Sequence, residues 1–367
     1  MSDQPTVPMP PYSPPPHPLQ PQTFLPPPPP ARSRNLNLAS CLMVATLVGS
    51  MILNAVLFVA LLAALGGTGG LHEDGTVEKH VSGPAGSNAK IVVIPIKGVI
   101  SSGGASMFGG SVDMVDLAVK GLRRVKEDRA VVAVILDVNS PGGGITDCDR
   151  IHHEIAELRK ARPELKFVSL MRDVAASGGY YVSAPCDRII AHPTTITGSI
   201  GVIMSFVNLQ GLFEKIGYRE EVIKSGPHKD IGSMGRPMTE EERQILQGML
   251  NEMYDRFVRI VATGRKMDEA KVRELADGRI YSGGQAKENG LVDELGYFED
   301  AVEAAKKLAG VSDASVVEYQ RPFTFADLFR AESKTPPAEA MLAAELEKLT
   351  GRRQGFYYLW TVESAPR

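Results

Sequence analysis

Hydrophobic positions fall into unlike patterns along the chain. From Leu38 to Leu65 they run almost unbroken, and the only polar side chains among these residues are Ser40, Thr46, Ser50 and Asn54. A helix needs about 20 apolar residues to cross the hydrocarbon core of a bilayer, so this block can span one with some tilt. Its apolar core and the segment ahead of it are both too long for a cleaved signal peptide, which predicts an uncleaved signal anchor over 35–65. The alternative is a buried soluble helix. The 38 residues without a formal charge between Arg34 and Glu73 weigh against it.

After residue 90 the pattern changes to alternation. Residues 91–100 and 131–138 are apolar runs rich in β-branched side chains, as buried strands require, and further strand candidates fall at 167–171, 188–191 and 200–204. Between them Val112, Val115, Val119 and Leu122, and then Ile151, Ile155 and Leu158, return at helical spacing. Thr239 and Glu242 form a capping box that opens a long helix, with Ile245, Leu246, Met249, Leu250, Met253 and Phe257 expected inward. Strands alternating with helices predict an α/β domain with a mainly parallel core over 91–320.

Composition sharpens the boundaries. Of 26 prolines, 14 lie in residues 1–30, so 1–34 is expected to be a disordered or polyproline-like tail, a solvated segment rather than a ligand for a proline-binding module. Seven glycines in 66–90 predict a flexible linker. Arg32 and Arg34 precede the apolar block while Glu73, Asp74 and Glu78 follow it, which places the tail in the cytoplasm and the rest outside. With 40 basic against 43 acidic residues, the chain lacks the basic excess of a nucleic-acid-binding protein. Three cysteines are too few for a disulfide scaffold or a zinc cluster. Cys148 and Cys186 both fall outside the cytoplasm on this topology, where they can pair or remain buried thiols.

Two glycine-rich turns leave predicted strands: Asn139-Ser-Pro-Gly-Gly-Gly144 and Ala175-Ala-Ser-Gly-Gly-Tyr-Tyr181. Consecutive glycines let backbone approach a ligand and free its N–H groups, and two such groups aimed at one point make an oxyanion hole. Each turn also has a plainer reading, a tight strand–helix corner for the first and an N-cap serine for Ser177 in the second. Neither contains a phosphate-binding Gly-x-x-x-x-Gly-Lys pattern. If Ser177 is a nucleophile it needs a base, and none of the seven histidines stands in a triad motif. A lysine can serve if its ammonium is desolvated, at a cost of roughly 4 kcal/mol to bring it from about 10.4 to about 7–8. Lys224 and Lys229 are the candidates, and spacing alone does not choose between them.

Five ordered segments make the pattern specific. They are Val138-Asn-Ser-Pro-Gly-Gly-Gly144, Ala175-Ala-Ser-Gly-Gly-Tyr-Tyr181, Thr197-Gly-Ser-Ile-Gly-Val-Ile203, Lys224-Ser-Gly-Pro-His-Lys-Asp230, and Asp277-Gly-Arg-Ile-Tyr281 with Gly290-Leu-Val-Asp-Glu-Leu-Gly296. With them the chain resembles the short form of the signal peptide peptidase A (protease IV) family over about residues 90–320. The resemblance implies a Clp-protease/crotonase-like fold of stacked β-β-α units. It implies Ser177 as nucleophile, Lys229 as general base with Lys224 in reserve, Ser199 orienting the lysine, and Gly143 and Gly178 donating to the oxyanion. It implies no metal or organic cofactor, and as substrates remnant signal peptides and other extended apolar peptides at a bacterial cytoplasmic membrane. It further implies a homo-oligomeric dome, octameric in short forms, with serine and lysine supplied by neighbouring protomers. The proline-rich tail is a departure from the family. Residues 321–367, with an amphipathic helix at 338–349 and the aromatic cluster 356–360, match only loosely. Two rivals share parts of this pattern: a crotonase-type acyl-CoA enzyme, and a non-enzymatic membrane scaffold that binds peptides.

Overall fold

The computed structural model describes residues 38–65, 76–102, 113–320 and 357–359. In chain order the elements are α1 (Leu38–Leu65), β1 (Val77–Ser82), β2 (Lys90–Lys97), α2 (Met114–Glu127), β3 (Val131–Ser140), β4 (Gly142–Gly144), α3 (Ile145–Ala161), β5 (Lys166–Ala176), α4 (Gly178–Ser183), β6 (Arg188–Ala191) and β7 (Ile196–Gly198). They continue with α5 (Gln210–Ile216), α6 (Glu240–Arg265), α7 (Glu269–Leu275), β8 (Ile280–Ser282), α8 (Gly283–Glu288), β9 (Glu294–Leu295), α9 (Phe298–Ala309), β10 (Ser315–Gln320) and β11 (Tyr357–Leu359). The proline-rich tail, the 338–349 helix, Val112, Phe356 and Trp360 lie outside the described residues.

The first unit, residues 1–63, holds most of α1. Over 42–59 this helix has a mean hydropathy of 2.3, and by length and composition it can cross a membrane. Two of its polar side chains are satisfied within the helix: Thr46 Oγ1 donates to the Leu42 carbonyl at 2.8 Å and Asn54 Nδ2 to the Ser50 carbonyl at 2.7 Å. A helix facing lipid needs that internal pairing.

The second unit is a mixed α/β fold around one sheet of order β1-β10-β2-β3-β5-β6-β9, with β7 on β5 and β8 on β7. Every pair from β10 to β9 is parallel, and only β1 and β8 join antiparallel. The apolar runs are continuous because both faces of these strands are covered. Val92, Ile94, Ile96, Val134 and Leu136 face one core with Leu122, Ile151 and Phe257. The alternate residues Ile91, Val93, Ala133 and Ile135 face a second core closed by Ala301, Val302 and Ala305 of α9.

Three expectations need correction, and one left open is resolved. Residues 77–82, inside the expected linker, form β1 against β10, with Thr76 buried beside them. Residues 200–204 are not a strand. Positive φ at Gly198 (81°) and Ser199 (47°) ends β7 and turns the chain away. The capping box at Thr239 is present, but α6 buries Phe257, Val258, Val261 and Ala262, while Ile245 is 41% and Met249 43% exposed. The first half of that helix runs past the core, so its apolar stripe has nothing of the core to face. Cys148 and Cys186 are separate buried thiols, and burial pushes both well above the ordinary thiol range.

Candidate active site

The site lies at the carboxyl ends of β3, β5 and β7, where parallel sheets gather their loops. β3 and β5 run in register with Ser140 opposite Ala175, and β5 and β7 with Ala176 opposite Gly198. The next residue of each of the last two strands is a serine. Ser177 and Ser199 therefore leave adjacent strand ends, and the Ser177 N–H donates to the Gly198 carbonyl at 2.8 Å. Both have positive φ, 53° and 47°. Non-glycine residues rarely adopt such values, and they cluster at functional sites.

Ser177 precedes α4 but is not its cap in the ordinary sense. Its side chain makes no capping hydrogen bond, its backbone stands at φ 53°, ψ −114°, and the residue is 1% exposed. The strand–turn–helix geometry is held from behind. The Tyr181 N–H donates to the Ser177 carbonyl at 2.9 Å, the Tyr180 hydroxyl to the Leu291 carbonyl at 2.8 Å, and the Tyr181 hydroxyl to Asp149 at 2.6 Å. Arg256 of α6 reaches the same Asp149 oxygen at 2.6 Å. These supports had no signature in the sequence beyond the two tyrosines following the glycines.

The two glycine turns meet. A Cβ placed on Gly178 would lie 3.1 Å from the Gly143 nitrogen and 2.5 Å from Cys148 Sγ, and one on Gly143 would lie 1.9 Å from the Ile100 carbonyl oxygen. Neither position has room for a side chain. Gly178 is also the first residue of α4, where N–H groups have no partner within the helix. Gly143 belongs to β4, and antiparallel to β4 runs β11, with Tyr358 opposite Gly143. The edge beside the turn therefore accepts an extended strand.

The lysines stand elsewhere. Lys229 is exposed in the segment between β7 and α6, and among the described residues its side chain has no hydrogen bond or ion pair. The structure does not bring it to Ser177 within one chain. Lys224 is engaged: its Nζ donates to Asp230 Oδ1 at 2.6 Å and to the Pro227 carbonyl at 3.0 Å. Arg236 grips the same Asp230 by two nitrogens, at 2.9 and 2.7 Å, and reaches on to Glu242, which is 1% exposed. Spaced at six-residue steps, these three charged residues carry no periodic signal that would have revealed them.

A strained serine at a strand-to-helix turn, where two glycine turns abut beside a strand-accepting edge, fits a serine-type peptidase. Comparison with known proteins agrees. Residues 159–312 match the model of peptidase family S49. Over 239 residues the chain is 46% identical to a putative signal peptide peptidase SppA of Enterococcus faecium, covering 65% of this chain and 69% of that one. It is 34% identical over 268 residues to Protease 4 of Salmonella typhi, covering 72% of this chain and 42% of that longer protein. It is 33% identical over 253 residues to the chloroplastic serine protease SPPA of Arabidopsis thaliana, covering 68% and 37%. The chain belongs to the S49 family of signal peptide peptidase A enzymes.

Proposed function

We propose that the chain is a membrane-anchored endopeptidase working through a Ser177–Lys229 dyad on remnant signal peptides and other extended apolar peptides. The observation that carries this reading is the conformation of Ser177, held out of ordinary backbone space where Gly178 abuts the Gly143 nitrogen. Neutral Lys229 takes the Ser177 proton as the hydroxyl oxygen attacks the scissile carbonyl. The Gly143 and Gly178 N–H groups stabilise the oxyanion, and the amine leaves with a proton returned by the lysine. Water then releases the acyl group by the same route. Ser199, one register step from Ser177, orients the lysine.

The edge of β4 favours substrates in extended form, because β11 already lies on it as a strand. Within one chain Lys229 makes no hydrogen bond to Ser177, so we read the dyad as composite, with serine and lysine from neighbouring copies of an oligomer that is octameric by family resemblance. Apolar side chains in the same stretch between β7 and α6 favour this: Leu212, Ile216, Tyr218 and Val222 are exposed, and Ile223 is fully so. Apolar side chains that the chain leaves uncovered suit an interface. Helix α1 anchors the assembly with the tail cytoplasmic and the peptidase domain outside.

Full-length protein in detergent micelles should hydrolyse unfolded apolar peptides. Ser177→Ala and Lys229→Ala should each lower kcat at least about a thousandfold with assembly retained. Full activity in Lys229→Ala with loss in Lys224→Ala would reverse the base assignment. Retained biological function in Ser177→Ala would support the scaffold reading.

A further inference from the structure

We propose that Arg236, seconded by Lys224, sequesters the Asp230 carboxylate so that Lys229 beside it carries no counter-ion and can lose its proton. Both are positioning residues, and the inference rests on the reading of Lys229 as the base.

Chain order creates the problem that this arrangement solves. A carboxylate follows the base immediately, and an opposite charge within about 4–6 Å favours the ammonium form of a lysine by one to three pH units. A base needs the reverse. In the structure both Asp230 oxygens are already engaged by cations other than Lys229. Arg236 Nε donates to Oδ2 at 2.9 Å, Arg236 Nη2 to Oδ1 at 2.7 Å and Lys224 Nζ to Oδ1 at 2.6 Å. The forked guanidinium matches both carboxylate oxygens, a geometry that lysine cannot reproduce. These two cations hold the Asp230 carboxyl well below the usual carboxylate range.

Arg236 is itself fixed. Its Nη1 donates to Glu242 Oε2 at 2.9 Å, and Glu242 is locked in the capping box with the Thr239 N–H, also at 2.9 Å. Of the other charged groups near this turn, Glu220 lies against Gly235 with no ion pair among the described residues, and two on α6 face partners. On the first turn of α6, Glu241 faces His228 at 3.4 Å and Glu240 faces Arg243 at 3.9 Å. Lys229 is the cation of the segment 224–230 that has no partner among the described residues. The α6 cap, Arg236 and Asp230 thus form one rigid chain of contacts ending one residue from the base.

The test is the pH profile of kcat/KM for peptide hydrolysis by the full-length oligomer. Replacing Arg236 alone would strand the buried Glu242 charge, so R236M is made together with E242Q. We expect R236M/E242Q to move the acid limb upward by about one pH unit or more. Adding D230N should return the limb to its original position, and R236K should shift it less than R236M/E242Q does. An acid limb that stays in place in R236M/E242Q, or one that D230N fails to restore, overturns the inference. K229M separates the two claims. If K229M is inactive while the limb does not move, the sequestration fails and the dyad stands. If K229M is active, both fail.

Discussion

Ser177 holds a conformation that glycine adopts freely and other residues only at a cost of about 1–3 kcal/mol. That cost has a direct consequence for variants. Ser177→Ala removes the hydroxyl and keeps the strain. Ser177→Gly removes both, offset in part by about 0.5–1 kcal/mol of added backbone freedom in the unfolded chain. Both variants should lose peptide hydrolysis, but the glycine form should unfold at least as high as the alanine form, by a few degrees. Thermal unfolding of the two inactive proteins checks this. A glycine variant clearly less stable than the alanine variant would show that the backbone at 177 is not strained. The residue scale also explains why a serine ahead of a helix was ambiguous in the sequence. Ser177 occupies the N-cap position, and only its φ of 53° and absent capping bond distinguish a displayed hydroxyl from a cap.

At the scale of elements, the strands were the most legible part of the chain. A run such as 131–136 is apolar at every position because both faces of β3 are covered, as a buried parallel strand requires. Legibility failed where the determinant was not a pattern of burial. Residues 200–204 are as apolar as a strand, but the turn at Gly198 and Ser199 decides where β7 ends. On α6 the apolar period of Ile245 and Met249 marks a face to be covered without saying by what. The start of α6 was legible through Thr239 and Glu242, and that cap carries a pH dependence. The Arg236 guanidinium and the Thr239 N–H hold the Glu242 carboxyl down to about 2 from its ordinary 4.5. A carboxyl depressed on folding contributes stability above its unfolded value and loses it as pH falls toward the folded one. The anchorage of 230–242 should therefore persist at pH 5 and weaken between about 4.5 and 2. Acid-active protease digestion across that window should show cleavage in 218–238 rising as pH drops, with E242Q less sensitive to pH. Cleavage of the wild type that is constant across the window would remove Glu242 as the cause.

At the scale of the whole molecule, one chain presents a serine site and a lysine segment that do not meet. Ser177 sits 1% exposed at the sheet, while Lys229 projects from a segment whose apolar side chains, Ile223 among them, face outward. Two arrangements can complete the dyad: the segment folds back onto its own sheet, or it crosses to a neighbour. They differ in a mixture of dead proteins. Ser177→Ala keeps its lysine and Lys229→Ala keeps its serine. If the dyad is formed within a chain, every site in a mixed assembly lacks one partner and no mixture is active. If it is formed between chains, a Lys229→Ala protomer served by a Ser177→Ala neighbour has both groups. Random co-assembly at equal amounts then restores about a quarter of the sites, since each of two neighbours must be of the right kind with probability one half. Co-expressed variants should thus recover about a quarter of wild-type activity, whereas the same variants purified apart and mixed without subunit exchange should recover none. Because a ring interface is heterologous, each protomer gives its lysine to one neighbour and takes one from the other. Activity should also fall on dilution wherever the assembly dissociates, and inactive co-expressed mixtures that remain fully assembled would place the lysine in its own chain.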